Sequence, residues 1–259
     1  MATIAVITGG AGDIGRAIAS QLAVKHSLTV LVDINSTKLN QALDTFPSEI
    51  RQKMAIETCD VTDSTAVNKL AEKISALGSI KTLVNNAGAT SAASLHETNP
   101  DSWRREISLN LDAAYLCFHA FADHLKKTIA SVINISSANG LGTFGNPAYS
   151  TAKAGLIHFT RAIAVEYGKF GVRANAVAPG TVRTAAWDEK IRDNPAVFEE
   201  VIQWYPMGRA VEVEDVAAAV AFLSGDQAKA ITGVCLPVDG GLLAGMPPVA
   251  RSFGVSEYY

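Results

Sequence analysis

Tyr149 and Lys153 stand four residues apart in a stretch with helical character, so their side chains share one face. A tyrosine phenol has a reference pKa of about 10, and ionising it near pH 7 costs roughly 4 kcal/mol. A lysine charge about 5 Å away returns roughly 3 kcal/mol at an effective dielectric near 20. Such a tyrosine can take a proton from an alcohol oxygen or give one back. Ser137, at the end of an apolar strand-like run, can hydrogen-bond the same oxygen and hold it beside the phenol, and the adjoining Ser136 competes for this role. Asn110 falls in a helical pattern, where its amide could hold a proton-relay water or simply bond the backbone.

Upstream lies a second chemical signature. Residues 8–15 read Thr8-Gly9-Gly10-Ala11-Gly12-Asp13-Ile14-Gly15, between a short β-branched run and a helical pattern. Glycines allow a tight turn and close backbone approach to a pyrophosphate. The following helix N-terminus offers free N–H groups and the positive end of its dipole, which places Gly9, Gly12, Asp13, Ile14 and Gly15 at the phosphates. Asp33 closes the second strand, with Ile34 next to it, where a carboxylate accepts both ribose hydroxyls of an adenosine. The same carboxylate repels a 2′-phosphate, and no Arg or Lys follows directly, so NAD is expected over NADP. The two signatures together describe hydride exchange between a nicotinamide and a carbonyl or hydroxyl carbon.

These groups need a scaffold that brings distant segments to one edge. Short apolar runs at 3–8, 28–33, 54–59, 82–85, 131–136, 173–178 and 233–238 read as strands. Helical patterns at 14–25, 37–45, 64–77, 102–126, 149–170 and 214–223 lie between them. Strands that are apolar almost throughout, alternating with helices, indicate an α/β fold, a Rossmann-like doubly wound parallel sheet of about seven strands with helices on both faces. No linker or internal repeat divides residues 1–259, which are expected to form a single domain. Residues 185–209, long, polar and aromatic, are expected to form a substrate lid. The tail at 242–259, with Pro247-Pro248, is expected to cross to a neighbouring subunit or to be partly disordered.

Composition narrows the partners. The chain has 259 residues, 48% of them hydrophobic, and a net charge of −3 without a basic block. This argues against nucleic acid or an anionic membrane as the main partner. No apolar run approaches a membrane span of roughly 18 residues, and the start does not resemble a signal peptide. The cysteines Cys59, Cys117 and Cys235 are odd in number and far apart, reading as buried thiols in a reducing compartment, so a cytoplasmic enzyme is expected. The five histidines show no ligand spacing, and no catalytic metal is expected.

The motifs also arrive in a familiar order. Residues 8–15 are followed by Cys59-Asp60-Val61, Asn85-Asn86-Ala87-Gly88, Asn110, Ile135-Ser136-Ser137-Ala138-Asn139-Gly140, Tyr149-Ser150-Thr151-Ala152-Lys153, Pro179-Gly180-Thr181-Val182-Arg183-Thr184 and Val238-Asp239-Gly240-Gly241. Over nearly its whole length the chain resembles the short-chain dehydrogenases/reductases, in the branch of about 250 residues. The resemblance implies that Ser137, not Ser136, is the catalytic serine, and that Asp60 and Val61 contact the adenine. It implies that Asn86, Ala87 and Gly88 line the cofactor and that Lys153, beside Tyr149, also binds the nicotinamide ribose. Pro179 and Gly180 would lie along the cofactor, with Val182 and Thr184 at the carboxamide. It further implies a homotetramer paired through the helices that hold Asn110 and Tyr149. In one respect the chain departs: this branch usually has glycine at position 13, where the chain has Asp13, with glycine at 12 instead. That spacing matches the longer sugar-nucleotide branch, but length and the downstream motifs favour the shorter one.

The expected pocket walls are Thr90, Ser91, Asn139, Asn146, Pro147 and the lid aromatics Trp187, Trp204 and Tyr205. The amides of Asn139 and Asn146 suit a polyhydroxylated substrate, and the aromatics suit a sugar face or an apolar chain. A sugar or polyol oxidised with NAD is the leading expectation, and a 3-oxoacyl thioester reductase is the alternative. Lys190 and Arg192 are expected on a solvated face, with an anionic substrate group as the competing use. A dinucleotide sensor without chemistry is disfavoured by the intact Tyr149 and Lys153.

Overall fold

The computed structural model describes residues 2–255, apart from the side chains of Glu189 and Lys190. Seven parallel strands form one sheet: β1 Thr3–Thr8, β2 Leu28–Asp33, β3 Met54–Thr58, β4 Ser79–Asn85, β5 Ser131–Ile135, β6 Arg173–Pro179 and β7 Cys235–Val238. Their order is β3-β2-β1-β4-β5-β6-β7. Strand order reverses between β1 and β4, and the crevice beyond the carboxyl ends of the strands at such a switch point is where this architecture takes ligands.

The period of two along each strand sorts the core into two layers. Ile4 and Val6 of β1 and Val30 and Val32 of β2 face one side, where Ile74, Phe121 and Leu125 pack. Ala5, Ile7 and Leu31 face the other, against Ile18, Leu22 and Val220. Every one of these side chains is fully buried. Both faces are covered, so the strands read as continuous apolar runs.

Helices α1 (Asp13–Leu22), α2 (Ser36–Asp44), α3 (Ser48–Arg51) and α4 (Ser64–Ser75) lie in the first half. The helix expected at 102–126 is in fact α5 (Pro100–Ile107), a π-helical turn at Ser108–Asp112, and α6 (Ala113–Thr128). Asn99 caps α5 by accepting from Asp101 N and Ser102 N, which moves its start before the expected one. Hydrophobic periodicity carries no sign of an extra residue in one turn, so the π turn is invisible to it.

α7 (Pro147–Tyr167) follows Asn146, whose φ is +50°. The expected lid contains a 3₁₀ turn at Ala185–Trp187 and two short helices, α8 (Asp188–Asp193) and α9 (Val197–Ile202). α10 (Val213–Ser224) packs on α1. The tail forms a further helix, α11 (Pro247–Gly254), and its last four residues, 256–259, lie outside the described residues. Among the described residues no helix is long and apolar enough to cross a membrane.

Candidate active site

The glycine turn joins β1 to α1 at the switch point. Gly9 has φ +64°, and a Cβ there would sit 2.9 Å from Ala87 Cα, so only glycine fits both the backbone and the space. A Cβ on Gly15 would come within 2.3 Å of Gly9 O. Gly12 is the N-cap of α1 and supplies no side-chain cap, which leaves the first N–H groups of α1 for an anion. The same turn is pinned to β4. Thr8 Oγ1 accepts from Asn86 N and Ala87 N, both at 3.0 Å, and Asn86 Nδ2 donates to Thr8 O and Gly9 O at 3.0 and 3.1 Å. Asn86 thus shapes the turn with its side chain.

Beside the turn opens a cleft of about 440 Å³ lined by Gly9, Asp33, Ile34, Asp60, Val61 and Gly88, among others. Asp33 accepts from Ala11 N at 3.3 Å and from Asn35 N at 3.1 Å, which fixes its carboxylate at the mouth. Asp60 accepts from Thr62 N and its hydroxyl at 2.9 and 2.6 Å. An uncapped helix end, glycines at 9 and 15 where a Cβ would clash and a carboxylate lining the same cleft fit a dinucleotide. Arg105 and Ser108 also line this cleft, and no spacing rule in the sequence marked them.

Asp13 bonds Arg16 and accepts from Ala185 N at 2.7 Å. The residue at the usual glycine position therefore ties the phosphate turn to the start of the 185–209 segment. Its carboxylate is thereby engaged by protein groups at the end of α1 expected to face phosphate.

Ser137, Tyr149 and Lys153 converge beyond β5. The Ser137 hydroxyl lies near enough to the Tyr149 phenol to pull its pKa down, and it accepts from Asn139 N at 3.2 Å. Ser136 is otherwise engaged, its hydroxyl donating to Lys153 O at 2.9 Å. Lys153 Nζ stands 5.5 Å from the Tyr149 ring centroid and donates to Ile135 O at 2.8 Å. Burial lowers the Lys153 pKa to about 8, which leaves the ammonium mostly charged at neutral pH. Burial pushes the Tyr149 phenol up; the Ser137 hydroxyl pulls it down and the Glu106 charge pushes it up further. The net direction for the phenol is upward, with desolvation the largest cause.

Asn110 lies in the π turn, 1% exposed. Its Nδ2 donates to Ala89 O at 2.7 Å and Glu106 O at 2.9 Å, and its Oδ1 accepts from Ala89 N at 3.2 Å. Both amide donors are thus bonded to backbone, the second of the two uses weighed for Asn110. A Cβ on Gly88 would lie 2.7 Å from Asn110 Oδ1 and 3.2 Å from Lys153 Nζ, so the two groups do meet around that glycine.

Several expected pocket walls serve the protein's own loops. Asn139 Nδ2 donates to Gly145 O and Ser150 Oγ, both at 3.2 Å, and Asn146 Nδ2 donates to Ala92 O at 2.9 Å. Thr90 and Ser91 turn their hydroxyls to Glu106. Tyr205 is not in the lid wall but 4% exposed, and its phenol oxygen accepts from Thr181 N at 2.6 Å, bracing the segment that contains Pro179, Gly180, Val182 and Thr184. Gly180 packs directly on the same ring. Val182 is buried and forms a bridge to Val211. Trp187 packs on Phe198, ring centroids 5.3 Å apart, and Trp204 is exposed. The Lys190 side chain, weighed for an anionic group, lies outside the described residues. Among the described residues there is no group of three or more His, Cys, Asp or Glu placed to hold a metal ion.

A family model described as enoyl-(acyl carrier protein) reductase matches residues 9–243. The crystal structure of an oxidoreductase of the short chain dehydrogenase/reductase family from Burkholderia thailandensis is 38% identical, with a TM-score of 0.93 and 100% of each chain covered. The chain belongs to the short-chain dehydrogenase/reductase family. Within that family, the meso-2,3-butanediol dehydrogenase of Serratia marcescens is 37% identical over 253 residues, 95% of this chain and 97% of that protein. A structure described as ElxO with NADP bound is 29% identical with a TM-score of 0.89, covering 95% of this chain and 100% of that one. As a short-chain dehydrogenase/reductase the protein is an oxidoreductase of alcohol and ketone groups that uses a nicotinamide cofactor. The cleft and glycine turn described above fit that cofactor.

Proposed function

We propose that this enzyme interconverts a secondary hydroxyl and its ketone on a small polyol or sugar, with NAD as the preferred cofactor. Bound nicotinamide supplies the hydride acceptor or donor. The protein supplies the proton chemistry. Ser137 holds the substrate oxygen, Tyr149 takes its proton in oxidation and returns it in reduction, and the buried Lys153 ammonium favours the phenolate. Asn110 fixes the backbone around Gly88 next to Lys153. Gly9, Gly12, Ile14 and Gly15 hold the phosphates, Asp33 and Ile34 the adenosine ribose, and Asp60 and Val61 the adenine. Lys153 reaches the nicotinamide ribose, and Pro179, Gly180, Val182 and Thr184 flank the carboxamide. Asn139, Asn146 and Trp187 border the substrate through the loops they brace.

The observation that carries the cofactor choice is Asp33, held by two backbone N–H groups at the mouth of the cleft. A 2′-phosphate there would meet a fixed carboxylate. The polyol assignment draws support from the similar butanediol dehydrogenase, whose name gives a small diol as its substrate. Exposed Tyr115 on α6 and Val165 on α7 support pairing of subunits through these helices into a homotetramer. One second reading, reduction of a 3-oxoacyl thioester, draws support from the acetoacetyl-CoA reductase of Allochromatium vinosum, 36% identical over 255 residues.

The test mixes the purified enzyme with NAD and meso-2,3-butanediol, galactitol and other polyols and follows absorbance at 340 nm. NADH formation is expected. Silence with every polyol and both cofactors, together with oxidation of NADPH by a 3-oxoacyl thioester, would replace this reading with the second one.

A further inference from the structure

Glu106 is a carboxylate that the chemistry above leaves unassigned. It sits at the end of α5 and is 5% exposed, where an ionised group survives only with partners. Its Oε1 accepts from Ser91 N at 2.8 Å, Ser91 Oγ at 2.6 Å and Ala92 N at 3.2 Å, and its Oε2 accepts from Thr90 Oγ1 at 3.4 Å. These bonds hold its pKa below the usual carboxylate value against the effect of burial. All four donors belong to the segment 90–92.

That segment leads directly to the catalytic helix. Ala92 O accepts from Asn146 Nδ2 and Ala93 O from Asn146 N, both at 2.9 Å. Asn146 has φ +50°, a left-handed conformation that asparagine tolerates better than most residues and that here is fixed by these two bonds. It immediately precedes α7, and Tyr149 lies in the first turn. One turn along from Glu106, Asn110 grips Ala89 from the same side. The segment is thus clamped at one end by Asn110, in the middle by Glu106 and at the far end by Asn146.

We infer that Glu106 is a positioning residue: its carboxylate holds the 90–92 segment against the first turn of α7 and so sets the distance between that substrate wall and the Tyr149 hydroxyl. The inference rests on the reading of Tyr149 as the acid–base group. The charged groups facing Tyr149 are Glu106 from α5 and Lys153 from α7. The 89–93 segment carries none, being Ala-Thr-Ser-Ala-Ala. Glu106 therefore acts on the phenol in two separable ways, by geometry and by charge.

Two substitutions separate them. Glu106→Ala removes the clamp. Glu106→Gln keeps an acceptor for Ser91 N, Ser91 Oγ and Ala92 N, removes the charge and gives up only the long 3.4 Å bond from Thr90 Oγ1. Hydrogen–deuterium exchange at the amides of Ser91, Ala92 and Asn146 is expected to speed up at least about tenfold in Glu106→Ala and to stay near wild type in Glu106→Gln. With meso-2,3-butanediol and NAD, Glu106→Ala is expected to lose about tenfold in kcat/KM while NADH binding, read by fluorescence, changes less than about twofold. In Glu106→Gln the ultraviolet titration assigned to Tyr149, by subtraction of Tyr149→Phe, is expected to move to lower pH. Unchanged exchange in Glu106→Ala overturns the clamp, and an unmoved phenol titration in Glu106→Gln overturns the charge effect. If Glu106→Ala does not fold, Ser91→Ala, which deletes the 2.6 Å bond alone, takes its place in the exchange comparison. Turnover by Tyr149→Phe would instead remove the acid–base assignment, a result the exchange data do not depend on.

Discussion

At Tyr149 opposing influences meet on one oxygen: burial and the Glu106 charge favour the neutral phenol, and Ser137 favours the phenolate. Only an active proton acceptor needs that oxygen, so Tyr149→Phe is expected to lower kcat by at least about 10²-fold, the usual worth of a positioned acid–base group. NADH affinity should stay within about twofold, and a fluorescence titration checks this. Asp33 is held from the turn and from its own strand end, so its charge cannot swing away from a 2′-substituent. A charged hydrogen bond to ribose is worth about 1.5–3 kcal/mol. Asp33→Ala is therefore expected to cut kcat/KM with NAD about tenfold or more and to raise the NADP to NAD ratio. Equal preference before and after the change would refute the ribose role. The glycine at 15 illustrates why residue types near the turn were readable early: a Cβ there has no room, whatever the rest of the protein does.

Elements decide how these residues meet. The segment after β6 owes its shape to Tyr205, a residue from the far end of the 185–209 stretch. Tyr205→Phe leaves the Thr181 N–H without its acceptor, at a cost of about 1–3 kcal/mol. The expected outcome is a lower thermal midpoint and weaker cofactor binding, with the pH dependence of kcat unchanged, since no titrating group at the proton site is touched. Differential scanning and NADH titration on the same samples check both. The π turn at Ser108–Asp112 plays a comparable part. It turns Asn110 inward to Ala89 while α5 and α6 continue on either side. The expected unbroken helix at 102–126 missed this, because periodicity registers which face is apolar and not how many residues fill one turn.

Over the whole molecule, folding buries a base far from the site. His26, just before β2, has Nε2 3.2 Å from Thr82 Oγ1 and a buried Nδ1 without a partner. Burial, with the Lys25 charge, lowers its pKa to about 4. The unfolded chain binds this proton at about 6.5, so between pH 6.5 and 4 the unfolded state holds more protons than the folded one. Stability is therefore constant above that window and falls as pH drops through it, by roughly 2–3 kcal/mol from this group. Urea midpoints across the window should decline more steeply for wild type than for His26→Gln. Parallel curves for the two proteins would show that His26 is not the source.

The sequence by itself determined the strand set, the parallel α/β class, the glycine turn and the pairing of Tyr149 with Lys153, because each is local: apolar period, steric demand at a turn, and a four-residue spacing on one helix. The strand order placed β1 beside β4 and so joined residues 8–15 to the 85–88 turn. The rest was settled by contacts across the chain. Ser136 and Ser137 are chemically alike; the resemblance favours Ser137, and the bond from Ser136 to Lys153 O supplies the physical reason, since it engages the other hydroxyl. The amides of Asn139 and Asn146 look available in a list of residues and are in fact occupied by carbonyls that tertiary packing brings to them. No motif or spacing marks Glu106, whose partners reach it only when folding closes the 90–92 segment over it. A polar group's role depends on which partner reaches it, and for partners distant in sequence that is fixed only when the sheet and its covering helices close together.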